Sequence, residues 1–291
     1  MYIDRELVQK KMGSRLLSNT IFKFIFFCAT LFGLAVLAIL LYRILTQGLG
    51  WLDADFLQNF ASRRPEEAGV KAALIGSLWL MAVVAPVSLF LGVGAALYLE
   101  EYAKKNRFND FIKLNISNLA GVPSIVFGLL GLTIFVRQLA LGRSVLAAGL
   151  TMSLLILPVI VVSAQEAIRA VPKELREASY GMGATKWQTI KNVVLPAAIP
   201  GILTGSILAL SRAVGETAPL VVVGIPTFIA YLPAGLFDQF TVLPMQIYNW
   251  TSRPQEEFQH VAAAGIMVLL VFLILMNSIA VFIRNKFQKR Y

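Results

Sequence analysis

Residues 169–201 read RAVPKELREASYGMGATKWQTIKNVVLPAAIPG, and this stretch decides the fold. It is basic and polar, yet it lies between two apolar runs, 144–168 and 196–223. Each run reaches the length of about 20 apolar residues that a bilayer-crossing helix needs. The stretch is therefore a polar connection between two membrane spans. Within it, Pro172 suits the first turn of a helix, where a missing N–H costs nothing. Residues 173–180 favour helix. Gly181 and Gly183 can end that helix in the left-handed conformation, and Thr185 can cap a second one through Trp187 toward Leu195. The expectation is two short helices at a glycine bend. Leu175, Ala178 and Met182 recur at helical spacing and form a small apolar knob of the kind that seats in another protein's groove.

Working outward, the runs 21–45, 72–99 and 261–283 are also long enough to span, and 116–136 qualifies although interrupted. That makes six spans in all. The composition agrees: 57% of the residues are hydrophobic and 14% charged, against about 25% charged in a soluble domain. None of the runs alternates with a period of two, which excludes a membrane β-barrel. The fold expected is all-α, a polytopic transmembrane helical bundle. The first run is longer than a signal-peptide core and no small-residue cleavage site follows it, so it reads as an uncleaved first helix. Residues 1–20 read as a cytoplasmic amphipathic arm, and 21–291 as one membrane domain. A single cysteine, Cys28, and a single histidine, His260, leave no disulfide framework or Cys/His zinc site within the chain. No cofactor or metal is expected.

Charge orients the bundle. With six spans both termini share a side with residues 100–113 and 169–195. That side, including Lys23, holds 18 of the 26 basic residues and 8 of the 16 acids, so it carries the whole net charge of +10. The other side holds seven of each and is neutral. The positive-inside rule then makes the termini and the 169–195 loop cytoplasmic, in a bacterial inner or plasma membrane. The terminal RNKFQKRY reads as a topology and lipid-headgroup anchor, not a nucleic-acid site. Trp51, Tyr231, Tyr248 and Trp250 fall in outer connections and suit an interfacial aromatic belt. Glu100, Glu101 and Glu166 fall at span ends, where solvated charge is expected. Asn115, Asn118 and Ser124 are placed to bond between helices.

Glu177-Ala178-Ser179, then Gly183, Val193 and Leu195-Pro196, repeat the spacing E-A-A-x3-G-x9-I-x-L-P over 20 residues, with Ser179 and Val193 as mild departures. This resembles the EAA loop of ABC importer membrane subunits of type I. The resemblance implies that Glu177, Ala178, Gly183, Leu195 and Pro196 form a coupling element docked on an ATP-binding subunit. A phosphate-cradling loop needs G-x-x-x-x-G-K-[ST], and no Gly-Lys dipeptide occurs, so ATP hydrolysis belongs to a separate pair of subunits and this chain is not itself an enzyme. AGVPSIVFGLLGL (120–132), LPVIVVSAQEAIRAVP (157–172), SRAVGETAPLVVVG (211–224) and LPMQIYNW (243–250) resemble phosphate-specific transporter permeases of the PstA type. That resemblance implies phosphate import, with a paralogous second permease of the PstC type and an extracytoplasmic phosphate-binding protein as partners. An importer for another oxyanion, such as molybdate or sulfate, is the alternative, and a homodimer the alternative assembly.

The residues add their own argument. Arg212 lies near mid-membrane, where an arginine costs at least about 2.5–3.5 kcal/mol, so it marks a functional site by default. Glu216 is on the same helix face one turn on. Pro219 cannot donate to the Gly215 carbonyl, which weakens the helix there, and Thr217 could cap a restarted half-helix aimed at an anion. Arg212, Glu216 and Thr217 are thus the expected substrate path, against the plainer reading of a mutually neutralising ion pair. Gly121-Val122-Pro123-Ser124 breaks the third span in a similar way and is a second candidate for pathway lining.

Overall fold

The computed structural model describes residues 5–287. Among these residues there are twelve α-helices: α1 (Arg5–Gly48), α2 (Ala54–Gln58), α3 (Lys71–Leu97), α4 (Arg107–Leu119), α5 (Ser124–Gly131), α6 (Val145–Arg169), α7 (Lys173–Gly181), α8 (Lys186–Thr189), α9 (Leu195–Gly215), α10 (Ala218–Val223), α11 (Leu243–Thr251) and α12 (Glu257–Phe287). Among the described residues there is no strand.

Among the described residues five helical segments are long and apolar enough to cross a membrane, and a sixth crossing exists if the bent pair α4 and α5 counts as one. The interruption expected in the third span falls at residues 120–123, and it is a sharp bend. The chain turns through 102° between α4 and the segment Ser124–Gln138. α4 is amphipathic, without a buried residue. Asn115 donates to Phe111 O in its own helix rather than to a neighbour.

The core is built around α6. Its residues Ala148, Met152, Ile156, Ile160 and Ala164 are fully buried. α3 runs parallel to it and α9 antiparallel, each brought close by small residues. A Cβ on Gly149 would stand 2.5 Å from Val83, and one on Gly92 2.6 Å from Ile160. A Cβ on Gly201 would stand 2.8 Å from Ala167. In a membrane, where tails are as apolar as leucine, such close backbone approach is what holds helices together. The buried hydroxyls of Ser88, Thr151, Ser153 and Ser206 each donate to a carbonyl four residues back in their own helix, so they carry no unpaired polarity into the core.

α1 stands apart. The expected arm at 1–20 runs without a break into the first span, and residues 1–4 of it, like 288–291 of the expected tail anchor, lie outside the described residues. Among the described α1 side chains only Gly48 is buried, against Ala263 and Ala264 of α12.

The connection before α12 folds onto the bundle. Leu243 N donates to Ser77 Oγ of α3 at 3.0 Å, and Gly76 has no room for a side chain beneath Thr241 O. Trp250 is completely buried, 5.8 Å from the Phe56 ring. With its amide turned to satisfy both neighbours, Gln246 donates to Thr227 O at 2.8 Å and accepts from Trp250 Nε1 at 3.1 Å. Trp250 is therefore a core residue and not part of an aromatic belt. Tyr231 and Tyr248 are exposed, while Trp51 is half-buried and stacks on His260. Arg253 braces this cap, donating to Asn249 Oδ1 and Ser62 O and lying over Phe258. Burial, and then the charge of Arg63, lowers its pKa from the ordinary arginine value.

Candidate translocation path and coupling loop

α9 ends at Gly215, Glu216 is extended, and α10 restarts at Ala218. Pro219 occupies the second position of the new helix, where its ring fits and its missing N–H leaves no internal bond unmade. Thr217 stands at the cap position, but its side chain caps nothing. A capping side chain accepts from the second or third helical N–H. The second belongs to Pro219, which has none, and the third, of Leu220, is taken by the Thr217 carbonyl at 3.1 Å.

Arg212, Glu216 and Thr217 lie together at this break. Arg212 Nε donates to Glu216 Oε1 at 3.3 Å, a single long contact. Among the described residues the guanidinium makes no second ion pair. Its side chain is 49% exposed, against 19% for Glu216. Thr204, Leu208, Arg212 and Gly215 are all exposed and form one helical stripe, so Arg212 lies on the uncovered face of α9. Beside it, Ser211 Oγ donates to Asn277 Oδ1 of α12 at 2.6 Å. Sequence reading passed over this bond, because neither residue type announces its partner 66 positions away.

The second break adjoins the first. α5 packs on α10, and a Cβ on Gly128 would stand 2.8 Å from Pro219 Cα. The backbone after the Gly121–Pro123 break is thus seated against the restarted half-helix.

At the other end of α9 lies the bent loop. Gly183 has φ +81°, so the turn uses the left-handed region that a side chain opposes, whereas Gly181 does not. Thr185 and Gln188 form a reciprocal capping box. Ser179, buried, bonds the buried Thr189 hydroxyl at 2.9 Å and clamps α7 to α8. This explains the serine at an alanine position of the spacing pattern. Glu177 and Ala178 are exposed on α7, and Leu195 and Pro196 form the first turn of α9. Leu175, Ala178, Met182 and Val193 line an open apolar notch of about 240 Å³, with Met182 84% exposed.

The loop is held to the bundle by ion pairs that overturn the expectation of solvated charge for Glu100 and Glu101. Their side chains are only 11% and 10% exposed. The Glu100 carboxylate accepts from Lys113 Nζ (2.9 Å), Gln165 Nε2 (3.0 Å) and Arg169 Nε and Nη2 (3.0 and 2.8 Å). Arg176 of α7 donates to Glu101 at 3.2 Å and to the carbonyls of Val171 and Ile168 at 2.8 Å each. Glu166 is 65% exposed, as expected. The network ties α7 to the ends of α3 and α6. Glu100→Gln would remove the charge and, with its oxygen kept at the Oε1 position, point its amide donor at Arg169 Nε. We expect it to cost about 1.5–3 kcal/mol, read as a lower thermal midpoint of the detergent-solubilised protein; an unchanged midpoint would remove the network from the account of loop rigidity.

Long apolar helices, two of them broken side by side and one continuous with an exposed bent loop, describe a multi-pass membrane protein with a candidate path and a candidate docking element. The chain matches the family of binding-protein-dependent transport system inner membrane components over residues 88–290. It is 31% identical over 275 residues to the probable ABC transporter permease protein YqgI of Bacillus subtilis, spanning 90% of this chain and 93% of that one. It is 34% identical over 270 residues to the phosphate transport system permease protein PstA 1 of Mycobacterium tuberculosis, spanning 88% of this chain and 86% of the relative in one strain. In fold it is similar to a chain of the bacterial alginate ABC transporter (TM-score 0.61, 16% identity, 95% and 94% covered) and to one of the MetNI methionine ABC transporter (TM-score 0.59, 20% identity, 74% and 95% covered). The chain belongs to the binding-protein-dependent transport system inner membrane component family.

Proposed function

We propose that this protein is the membrane subunit of an ATP-driven phosphate importer, with its 169–195 loop docked on an ATP-binding subunit pair in the cytoplasm. Family membership and the curated relatives that carry the phosphate permease name support the substrate class. One observation carries the mechanism: a single helix, α9, has the bent loop at one end and the Arg212–Glu216 break at the other. The 17 residues from Leu195 to Arg212 span about 25 Å, so a tilt of the loop on nucleotide binding moves the arginine as a lever moves its far end.

The pair also fits phosphate in detail. Arginine presents a planar donor fork that matches an oxyanion. A lone carboxylate beside it repels a fully ionised oxyanion but accepts a hydrogen bond from one that still carries a proton, as phosphate does and sulfate does not. Arg212 faces the open side of the single chain, so the path closes only against a second permease subunit, of the paralogous PstC type in this reading. An extracytoplasmic phosphate-binding protein delivers the ion, and lipid covers the remaining apolar faces. Both termini lie in the cytoplasm, following the charge asymmetry.

The test is uptake of radiolabelled phosphate by cells whose only phosphate importer contains this chain, with sulfate and molybdate as competitors. Phosphate uptake unaffected by either competitor is the expected result. Uptake of molybdate or sulfate in its place would overturn the substrate assignment. Cysteine at Lys186 should be shielded from an impermeant thiol reagent in intact cells and cysteine at Glu256 labelled. The reverse pattern would invert the topology.

A further inference from the structure

The same open face of α9 carries a second guanidinium. Arg284, near the end of α12, donates through Nη1 to Thr204 Oγ1 at 3.3 Å. Pro200, Gly201, Thr204 and Arg284 line a notch of about 320 Å³. Among the described residues Arg284 Nε is buried without a hydrogen-bond partner. Its remaining contact is a 3.3 Å bond from Nη2 to the neighbouring Asn285 side chain. No carboxylate lies within ion-pair distance of Arg284 among the described residues, whereas Arg169 and Arg176 on the same side are both paired with glutamates. A buried donor without a partner costs more than a made bond gains, and among the described residues no acceptor meets this atom, so the guanidinium is open to an oxyanion.

The notch has a fixed relation to the path. α9 and α12 are antiparallel, and their cross-links Ser211–Asn277 and Thr204–Arg284 are each seven residues apart along both helices. Two turns of helix separate them by about 10 Å. Arg212 and Thr204 lie on the same uncovered stripe, with Leu208 between them. The notch stands toward the bent loop, because α9 begins there.

We propose that Arg284 forms a phosphate-group site at the loop end of the path, in which the guanidinium holds one oxyanion and Thr204, whose own hydroxyl donates to Pro200 O at 2.8 Å, positions the guanidinium. Two sources supply that group at this depth: inorganic phosphate released from Arg212, or the headgroup phosphate of a lipid in the adjoining leaflet. The first source rests on the phosphate-import reading; the second does not.

The experiment uses the complete transporter, reconstituted in vesicles of phosphatidylcholine alone or of phosphatidylcholine with phosphatidylglycerol. Wild type, Arg284→Gln and Thr204→Val are compared, with rates normalised to inserted protein. Thr204→Val keeps every charge and so guards against misinsertion of the arginine variant. ATP-driven uptake of inorganic phosphate and phosphatidylglycerol retained by the purified complex, read by native mass spectrometry, are both measured. If inorganic phosphate occupies the notch, both variants lose about tenfold in uptake in either membrane and retain lipid as wild type does. If lipid phosphate occupies it, both variants lose the retained phosphatidylglycerol and keep wild-type uptake in phosphatidylcholine. Variants that match wild type in both measurements, while Arg212→Leu abolishes uptake, overturn the site and leave the import reading standing. Wild-type vesicles that take up no phosphate overturn the import reading, and the retained-lipid measurement still judges the notch.

Discussion

Cells relying on the Arg212→Leu variant are expected to take up phosphate at background rate, with the subunit inserted at normal abundance. The residue sits on an uncovered face of α9 beside a break in the helix, and its guanidinium is held by one long contact to Glu216. A pair whose task was mutual neutralisation would be better served by a short bidentate fork, the strong form of an arginine–carboxylate bond. Arg212→Lys keeps the charge and loses the fork, so it should fall by about tenfold or more, the scale of one lost charge-assisted hydrogen bond. The double change Arg212→Leu with Glu216→Leu removes both charges and with them any unpaired-charge penalty. It restores transport only if the pair serves itself. Full uptake by the double variant would therefore end the pathway assignment. Glu216→Gln makes the complementary test: with the carboxylate gone, sulfate should begin to compete with phosphate, and continued indifference to sulfate would remove the proton-bearing argument for selectivity.

Gly183→Val is expected to leave the subunit in the membrane but to reduce the ATP-binding subunit that co-purifies with it by about tenfold. The glycine adopts φ +81°, and a Cβ there would meet nothing within 4 Å. The cost of a side chain is therefore purely conformational, roughly 1–2 kcal/mol for an L-residue in the left-handed region and higher for a β-branched one. That is enough to favour a different bend and to misdirect the exposed Glu177, Ala178 and Met182. Asparagine tolerates the left-handed region, so Gly183→Asn should retain association within about threefold. If asparagine and valine were equally harmful, steric exclusion by the partner, and not backbone geometry, would be the cause.

The parts of this protein that the sequence made legible are those set by local rules. Apolar length marked the spans, and the bend at Gly183 followed from glycine between two helix-forming segments, with Thr185 and Gln188 closing the next helix as a capping box. The break at residues 216–217 followed from Pro219. What stayed hidden was set by distant partners. Glu100 and Glu101 read as solvated acids because Arg169 and Arg176 lie 69 and 75 positions away. Trp250 read as a belt residue because Phe56, which packs on it, is likewise distant. Pro123 marked the break in the third span, but the 102° turn depends on α5 finding its seat on α10. Thr217 misled for a local reason: a cap residue needs free N–H groups beyond it, and the same proline that breaks the helix removes one of them. The candidate site was thus legible as a set of neighbours in sequence, and illegible in its ties to α12.

The near-isolation of α1 has a consequence for biosynthesis. Among its described residues the one buried position, Gly48, finds its seat on Ala263 and Ala264, about 215 residues later in the chain. At a synthesis rate of about 5–20 residues per second, the first helix to leave the ribosome waits roughly 10–40 s before its docking surface exists. During that interval it must be sheltered by lipid or by the insertion machinery, and a nascent chain stalled before α12 would present it as an unclaimed helix to quality-control proteases.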